Sequence, residues 1–131
     1  MSDNTRTFPG FPNGRLRFTA VPDVFFSELL PAIDDLAELK LTLHAIWRLQ
    51  RLGREPYCLS LSELRRDALL LGALGGPEDE GSAEQVLLEA LARAVTRGTL
   101  LRLEAAEGDE AWIFLNSQQG RRSFERAVRG E

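Results

Sequence analysis

The longest amphipathic pattern in the chain runs from Leu36 to Leu52, between the acidic pair Asp34-Asp35 and Gly53. Its apolar residues recur at three- and four-residue spacing, which predicts a helix with a buried stripe. Acidic residues suit the start of a helix and glycine commonly follows its end, so these residues mark the boundaries. The expected stripe consists of Leu36, Leu39, Leu43, Ile46, Trp47 and Gln50, widened by Leu41, Ala45 and Leu49.

Shorter patterns lie on either side of this helix. Pro22 suits the first turn of a short helix over Asp23 to Leu30, which we expect Pro31 to end. After the long helix, Pro56 to Ser60 is typical of a short strand.

A second core helix is expected after this strand, with Ser60 or Ser62 as its cap and Glu63 close behind. We expect it to continue to Gly72. Residues 72 to 81 then contain four glycines, a proline and three consecutive acids, which predicts a mobile loop.

A third core helix is predicted from Ser82 to Arg97, with Gly98 as its stop. Its expected buried face consists of Val86, Leu87, Ala90, Leu91, Ala94 and Val95. Two apolar runs, Thr99 to Glu104 and Ala111 to Leu115, follow it around an acidic, glycine-containing tip. Such a pair predicts a β-hairpin.

The last amphipathic stretch begins at Asn116 or Ser117 and predicts a basic helix at the end of the chain. The complete order is that of a winged helix, mainly α with a small β-hairpin. We expect an N-terminal arm over 1–21, the winged helix over 22–116 and the basic helix over 117–131. We also expect Trp47 in the core, where its replacement by alanine would cost roughly 3 to 5 kcal/mol. Its expected neighbours there are Leu39, Leu43, Ile46, Leu64, Leu87, Leu91 and either Ile113 or Leu115.

The N-terminal arm combines turn residues with aromatic ones. Proline, glycine and asparagine at positions 9, 10 and 12–14 exclude a helix there, yet the phenylalanines are too many for a solvated tail. The arm packs either on its own domain or on a second protomer, and the pattern favours neither. Because one small core has little room for more aromatic rings, we expect a self-association surface. Its residues are Phe8, Phe11, Phe18, Phe25 and Phe26.

Composition narrows the possible functions. The chain has 131 residues, 44% of them hydrophobic, and a formal net charge of -4. That length and hydrophobic content suit one domain, and the acidic balance argues against coating nucleic acid by charge alone. The single cysteine, Cys58, cannot form an intramolecular disulfide, and no apolar run reaches the roughly 18 residues of a membrane span. We therefore expect a cytoplasmic protein without membrane contact.

Catalytic chemistry has little support in the sequence. His44 is the only histidine and lies beside the apolar stripe of the long helix, where histidine is usually a packing residue. One histidine and one cysteine cannot supply a zinc site, and the glycines of 72–81 lack the lysine of a phosphate loop. We expect no catalytic residues, no metal and no cofactor, and so no enzyme.

Two basic groups are candidates for contact with nucleic acid or an acidic partner. Arg93 and Arg97 lie on the third core helix, whose outward face also carries Glu84 and Glu89. The last helix carries a local excess of positive charge in an otherwise acidic chain. Its basic residues are Arg121, Arg122, Arg126 and Arg129.

Several stretches resemble DnaD-type primosomal replication proteins, in particular their short forms. They are Phe18 to Pro31, Ile33 to Lys40, Thr99 to Leu103, and Phe114 to Ser117 before Gly120 to Arg122. The likeness covers nearly the whole chain from residue 8 onward, and its motifs are packing and turn motifs.

The family uses an amino-terminal winged helix for self-association and a separate carboxy-terminal domain for DNA. The resemblance therefore implies the self-associating part, with primosome proteins as partners. Since the sequence ends at Glu131, we expect no second domain, and at most weak DNA binding. A homo-oligomer follows, with a dimer as its simplest form. The same fold would also suit a DNA-binding transcriptional regulator, and that alternative stays open.

Overall fold

The computed structural model describes residues 7–75 and 80–130. The expected fold class, helix-rich with a small β-hairpin in winged-helix order, is confirmed. The elements are a π-helical segment (Phe25–Leu29), α1 (Leu30–Ala32), α2 (Leu36–Leu52), β1 (Leu59–Ser60), α3 (Leu61–Arg65), α4 (Ala68–Gly75), α5 (Glu80–Arg97), β2 (Leu100–Glu104), β3 (Ala111–Leu115) and α6 (Gln118–Val128).

The bounds predicted for α2 are confirmed, and local chemistry explains both ends. The Asp35 carboxylate accepts a hydrogen bond from the Glu38 backbone N–H at 2.9 Å, which satisfies one of the free donors of the first turn. At the other end Gly53 has φ +70°, a left-handed conformation that favours glycine.

The buried stripe of α2 differs from the predicted one. Leu41 and Ala45 are fully buried, whereas Leu36 is 64% and Leu43 39% exposed. The apolar residues of α2 occupy more than half of its circumference, so their spacing fits more than one stripe. Packing against α4, α5 and the sheet selects the stripe on which α2 is buried.

Trp47 was predicted in the core but lies at its edge, where its side chain is half-buried. Its ring meets the His44 imidazole edge-on, with centroids 5.4 Å apart, and the Arg51 guanidinium lies 5.4 Å from its centroid. The large residues at the centre of the core are instead leucines together with Phe114 and Ile113. Leu64, Leu87 and Leu91 belong to this core, as predicted.

The short first helix was predicted to end at Pro31, but it continues past this residue. The Leu30 N–H bonds to the Phe25 carbonyl five residues earlier, which makes this segment π-helical. Pro31 then stands in the first turn of α1, where a missing N–H leaves no bond unmade, and the helix continues to Ala32.

The helix predicted from Ser60 to Gly72 is two helices. Ser60 and Glu63 form the expected capping box at the start of α3, which ends at Arg65. The Asp67 carboxylate then accepts the Leu70 N–H at 3.1 Å and starts α4. Because a carboxylate at this position competes with the continuous helix, the chain turns between the two.

The loop predicted over 72–81 is also wrong at both ends. Residues 72–75 belong to α4, and α5 begins at Glu80 rather than Ser82. Residues 76–79 lie outside the described part of the chain. Gly75 lies so close to α5 that an added Cβ would stand 2.7 Å from the Ala83 Cβ. Small residues therefore let α4 and α5 pack closely.

The sheet is antiparallel, with strand order β1-β3-β2. Leu59 of β1 and Arg102 of β2 both pair with Ile113 of the central strand. Trp112 lies on the face of the sheet opposite to Ile113 and is 37% exposed. The last helix, α6, begins directly against β3. Position 120 lies so close to the Leu115 carbonyl that only glycine, which has no Cβ, fits there.

Candidate functional site

The aromatic arm lies over the surface without helix or strand from residue 7 to residue 22. Phe8 is 67%, Phe11 84% and Phe18 88% exposed. The rings of Phe8 and Phe11 contact each other edge-on, with centroids 5.1 Å apart. These three side chains are therefore largely accessible to a partner.

The end of the arm is held by one side chain of α2. The Gln50 amide accepts a hydrogen bond from the Ala20 N–H at 3.0 Å and donates one to the Ala20 carbonyl. Both backbone groups of Ala20 are thus bound to the domain. The arm leaves the domain at a defined point, beside the C-terminal end of α2.

The adjacent phenylalanines of the first helical segment have opposite environments. Phe25 is 4% exposed and belongs to the core, whereas Phe26 is 55% exposed. Their rings meet edge-on at 5.1 Å. Of the five phenylalanines predicted for self-association, Phe25 is enclosed within its own protomer. We refer to the other four, Phe8, Phe11, Phe18 and Phe26, as the aromatic surface.

The arginines predicted on α5 both face acidic residues of their own chain. Arg97 Nε and Nη2 donate to the Glu38 carboxylate at 2.6 and 3.1 Å. Its pKa is raised, chiefly by this hydrogen bond and against the effect of burial. Arg93 lies 3.8 Å from the Asp35 carboxylate and is half exposed. Arg97 therefore has a structural partner and Arg93 a looser one.

The arginines of α6 differ in their engagement. Arg121 donates to the Asn116 side chain at 3.1 Å, and Arg126 to Glu55 at 2.5 Å. Arg122 and Arg129 are exposed. A basic surface is therefore present on α6, and Arg121 and Arg126 of this surface contact polar groups of the same chain.

The outer edge of β2 is not paired with any strand in residues 7–75 and 80–130. At one end of the hairpin, Asn116 N donates to the Thr99 carbonyl at 2.9 Å, and at the other Ala105 N donates to the Glu110 carbonyl at 2.9 Å. In an antiparallel ladder the backbone N–H and C=O groups of every second residue bond to the partner strand. The backbone groups of the residues between them point away from that strand. The residues of β2 whose backbone groups point away from β3 are Leu100, Arg102 and Glu104.

The acidic residues of the hairpin do not all lie at its tip. The Glu110 carboxylate accepts the Ser62 N–H at 3.0 Å and so satisfies the first turn of α3. The pKa of Glu110 is lowered, chiefly by the Ser62 side chain and further by the backbone N–H groups of Ala111 and Ser62. Glu104 pairs with Arg102 at 2.6 Å, while Glu107 and Asp109 are exposed at the tip.

His44 is paired with Asp67. His44 Nε2 lies 2.7 Å from Asp67 Oδ2, which also accepts from Arg48 at 2.6 Å. Burial alone would raise the pKa of Asp67, but the hydrogen bonds from His44 and Leu70 and the charge of Arg48 together lower it. The cluster joins α2 to the start of α4, so its contacts serve packing.

Cys58 lines a cleft of about 450 Å³ between the sheet and α6. Trp112 and Phe114 form its apolar wall, and the Arg126–Glu55 pair lies at its rim. Burial, reinforced by Glu63, raises the pKa of the Cys58 thiol. A raised pKa disfavours the thiolate, which is the nucleophilic form of cysteine.

Over residues 7–75 and 80–130, no cluster of three or more histidine, cysteine or carboxylate side chains has metal-binding geometry. None of the helices in this part combines the length and apolarity needed to cross a membrane. Comparison of the chain with protein-family models, with curated proteins and with solved structures finds no match.

Neither the free edge of β2 nor the pairing of Arg97 with Glu38 was predicted from the sequence. The alternation of polar and apolar residues in Arg15-Leu16-Arg17-Phe18 is a local pattern typical of a strand. No comparable signal linked Glu38 to Arg97, because 59 positions separate them.

Proposed function

We propose that this chain is a non-enzymatic winged-helix module that self-associates and serves as a docking scaffold in DNA replication initiation. The observation that carries the proposal is the exposure of the aromatic surface, whose four phenylalanines are between 55% and 88% exposed. The role in replication rests on the resemblance to DnaD-type proteins.

The size of the aromatic surface supports a second copy as its partner. A phenylalanine buries roughly 150 to 250 Å² when enclosed, so four rings exposed to this extent present about 600 Å². A single apolar patch of that area would be at the upper end of what soluble monomers expose. Two such surfaces in a two-fold dimer would bury about 1,200 Å², the lower end of a stable interface.

Electrostatics favours the scaffold over the transcriptional regulator. A regulator of this fold would place α5 in the major groove, but Arg97 is paired with Glu38 and Arg93 faces Asp35. The hairpin presents Glu107 and Asp109, which would oppose DNA phosphates. The exposed arginines of α6 remain a surface for weak contact with nucleic acid or for an acidic partner.

The test is the mass of the protein in solution at about 100 μM, measured by light scattering during size exclusion. We expect a dimer that becomes monomeric when residues 1–17 are deleted or when Phe11 and Phe26 are replaced by serine. Leu69→Ser is the matched control, because Leu69 is 65% exposed on α4, away from the arm. An intact protein that is monomeric at this concentration would refute self-association.

The replication role needs a separate readout. We expect a tagged chain to retain purified primosome proteins, and the Phe11→Ser/Phe26→Ser variant to retain less of them. Sequence-specific DNA binding by a monomeric wild-type protein would favour the regulator instead.

A further inference from the structure

We propose that residues 15–19 of a second copy add to the outer edge of β2 as an antiparallel strand. This inference deepens the proposed function and depends on it, since it states where the arm of the partner binds. In a two-fold dimer each protomer would give its arm to the other and receive one in return.

The edge of β2 is suited to receive a strand. Leu100, Arg102 and Glu104 direct their backbone groups away from β3, and within the described residues these groups make no backbone hydrogen bond on that side. Arg102 and Glu104 are also exposed. Unpaired edges readily accept an extended segment, because its main chain completes their hydrogen bonds.

The arm contains a segment with the pattern of a strand. Arg15-Leu16-Arg17-Phe18-Thr19 alternates polar and apolar residues, and residues 15–18 are all exposed. Both backbone groups of Ala20 are bound to Gln50. The backbone groups of successive residues in an extended chain point in opposite directions. Those of Thr19 and Arg17 therefore point away from Gln50.

One antiparallel register satisfies both charge and hydrophobicity. With Arg17 opposite Glu104, Phe18 lies opposite Leu103, and a basic residue meets an acidic one. Leu103 pairs with Trp112, which is 37% exposed, so Phe18 would cover an apolar part of the outer sheet face. Residues 7–22 contain no acid and two arginines, whereas the hairpin carries Glu104, Glu107 and Asp109.

A second copy, rather than the same chain, is the proposed source of this strand. In the protomer the segment forms no ladder with its own β2 and leaves the edge open. Strand addition places Phe18 of the aromatic surface in the interface, and two-fold exchange buries this residue on both sides.

The experiment compares proline and threonine at two positions in the full chain. At the edge, Arg102→Pro removes the backbone N–H that points away from β3 and leaves the hydrogen bonds between β2 and β3 intact. The matched variant Arg102→Thr also replaces the arginine side chain but keeps this N–H. In the arm, Arg17→Pro and Arg17→Thr form the same pair, outside any helix or strand. All four variants keep the aromatic surface unchanged.

The dimer dissociation constant is measured by analytical ultracentrifugation, and folding is checked by thermal unfolding. We expect each proline to weaken the dimer about tenfold or more and each threonine about threefold at most. Arg17→Glu and Glu104→Arg should each weaken the dimer, and their combination should restore it.

Three results would overturn the inference. A stable dimer unaffected by all the prolines would refute strand addition while leaving self-association intact. A wild-type monomer would refute the proposed function itself. A wild-type monomer in which the amides of Arg17 and Thr19 resist hydrogen exchange would show that the arm pairs with its own protomer.

Discussion

Arg97 of α5 donates two hydrogen bonds, at 2.6 and 3.1 Å, to Glu38 of α2, whose side chain has no exposed surface. The pair joins the two central helices of the fold. A buried carboxylate is tolerated only when its charge is paired and hydrogen-bonded. Arg97 therefore supports the folded state as the partner of Glu38.

This relationship predicts a non-additive pair of mutations. Arg97→Met should lower the melting temperature strongly, because it leaves Glu38 buried and uncompensated. The double variant Glu38→Leu/Arg97→Met should recover most of the loss, since it removes the isolated charge. Thermal unfolding of both variants and of Glu38→Leu checks the prediction, and strictly additive effects would contradict it.

Alanine substitutions at Leu87 and Trp47 should differ in how much unfolding free energy they cost. Leu87 is completely buried, so Leu87→Ala should cost about 2 to 5 kcal/mol of unfolding free energy. Trp47 lies at the edge of the core and contacts His44 and Arg51, so Trp47→Ala should cost less, about 1 to 3 kcal/mol. Urea denaturation measures both, and a larger loss for Trp47→Ala would place its ring in the core after all.

Asp67 should make the stability of the folded protein depend on pH in the acidic range. Its pKa is lowered in the folded protein by His44, Leu70 and Arg48. A carboxylate with a lowered folded pKa contributes stability above its unfolded pKa, near 4, and loses it as the pH falls through the folded pKa. Melting temperatures from pH 7 down to about pH 2 should fall less steeply in Asp67→Asn than in the wild type. Equal slopes would mean that the cluster does not couple protonation to folding.

Two glycines should respond to alanine in opposite ways. A Cβ at Gly120 would stand 1.7 Å from the Leu115 carbonyl oxygen, so Gly120→Ala should destabilise the fold by about 1 to 3 kcal/mol or more. Gly72 lies within α4 with no atom within 4 Å of such a Cβ, so Gly72→Ala should stabilise it by about 0.5 to 1 kcal/mol. Calorimetry of the two variants gives a direct comparison.

DNA binding should be weak and insensitive to sequence. We expect dissociation constants of about micromolar or poorer at physiological salt, carried by the α6 arginines, because exposed arginines contact phosphates without reading bases. Replacing Arg121, Arg122, Arg126 and Arg129 by glutamine should abolish the binding in a gel-shift assay. Tight, sequence-dependent binding that survives these changes but is lost with Arg93 and Arg97 would establish the regulator.

Local signals in the sequence fix some ends of the elements, but not the end of the first helix, the bounds of α4 or the start of α5. Asp35 and Gly53 mark the two ends of α2, and Gly98 follows the end of α5. The capping box formed by Ser60 and Glu63 marks the start of α3. These signals are reliable because a cap acts on backbone groups within about four residues of itself. The winged-helix order followed from them together with the hairpin pattern.

Which of several apolar faces is buried depends on tertiary packing. Phe25 and Phe26 are adjacent and identical in type, yet one lies in the core and the other is exposed. Likewise, Leu41 is buried while Leu43 is partly exposed, and Glu38 acquires a partner 59 residues away. Burial depends on how distant surfaces dock, and docking depends on the combined shape of all elements. The local spacing that defines a helix therefore does not determine which of its sides faces the core.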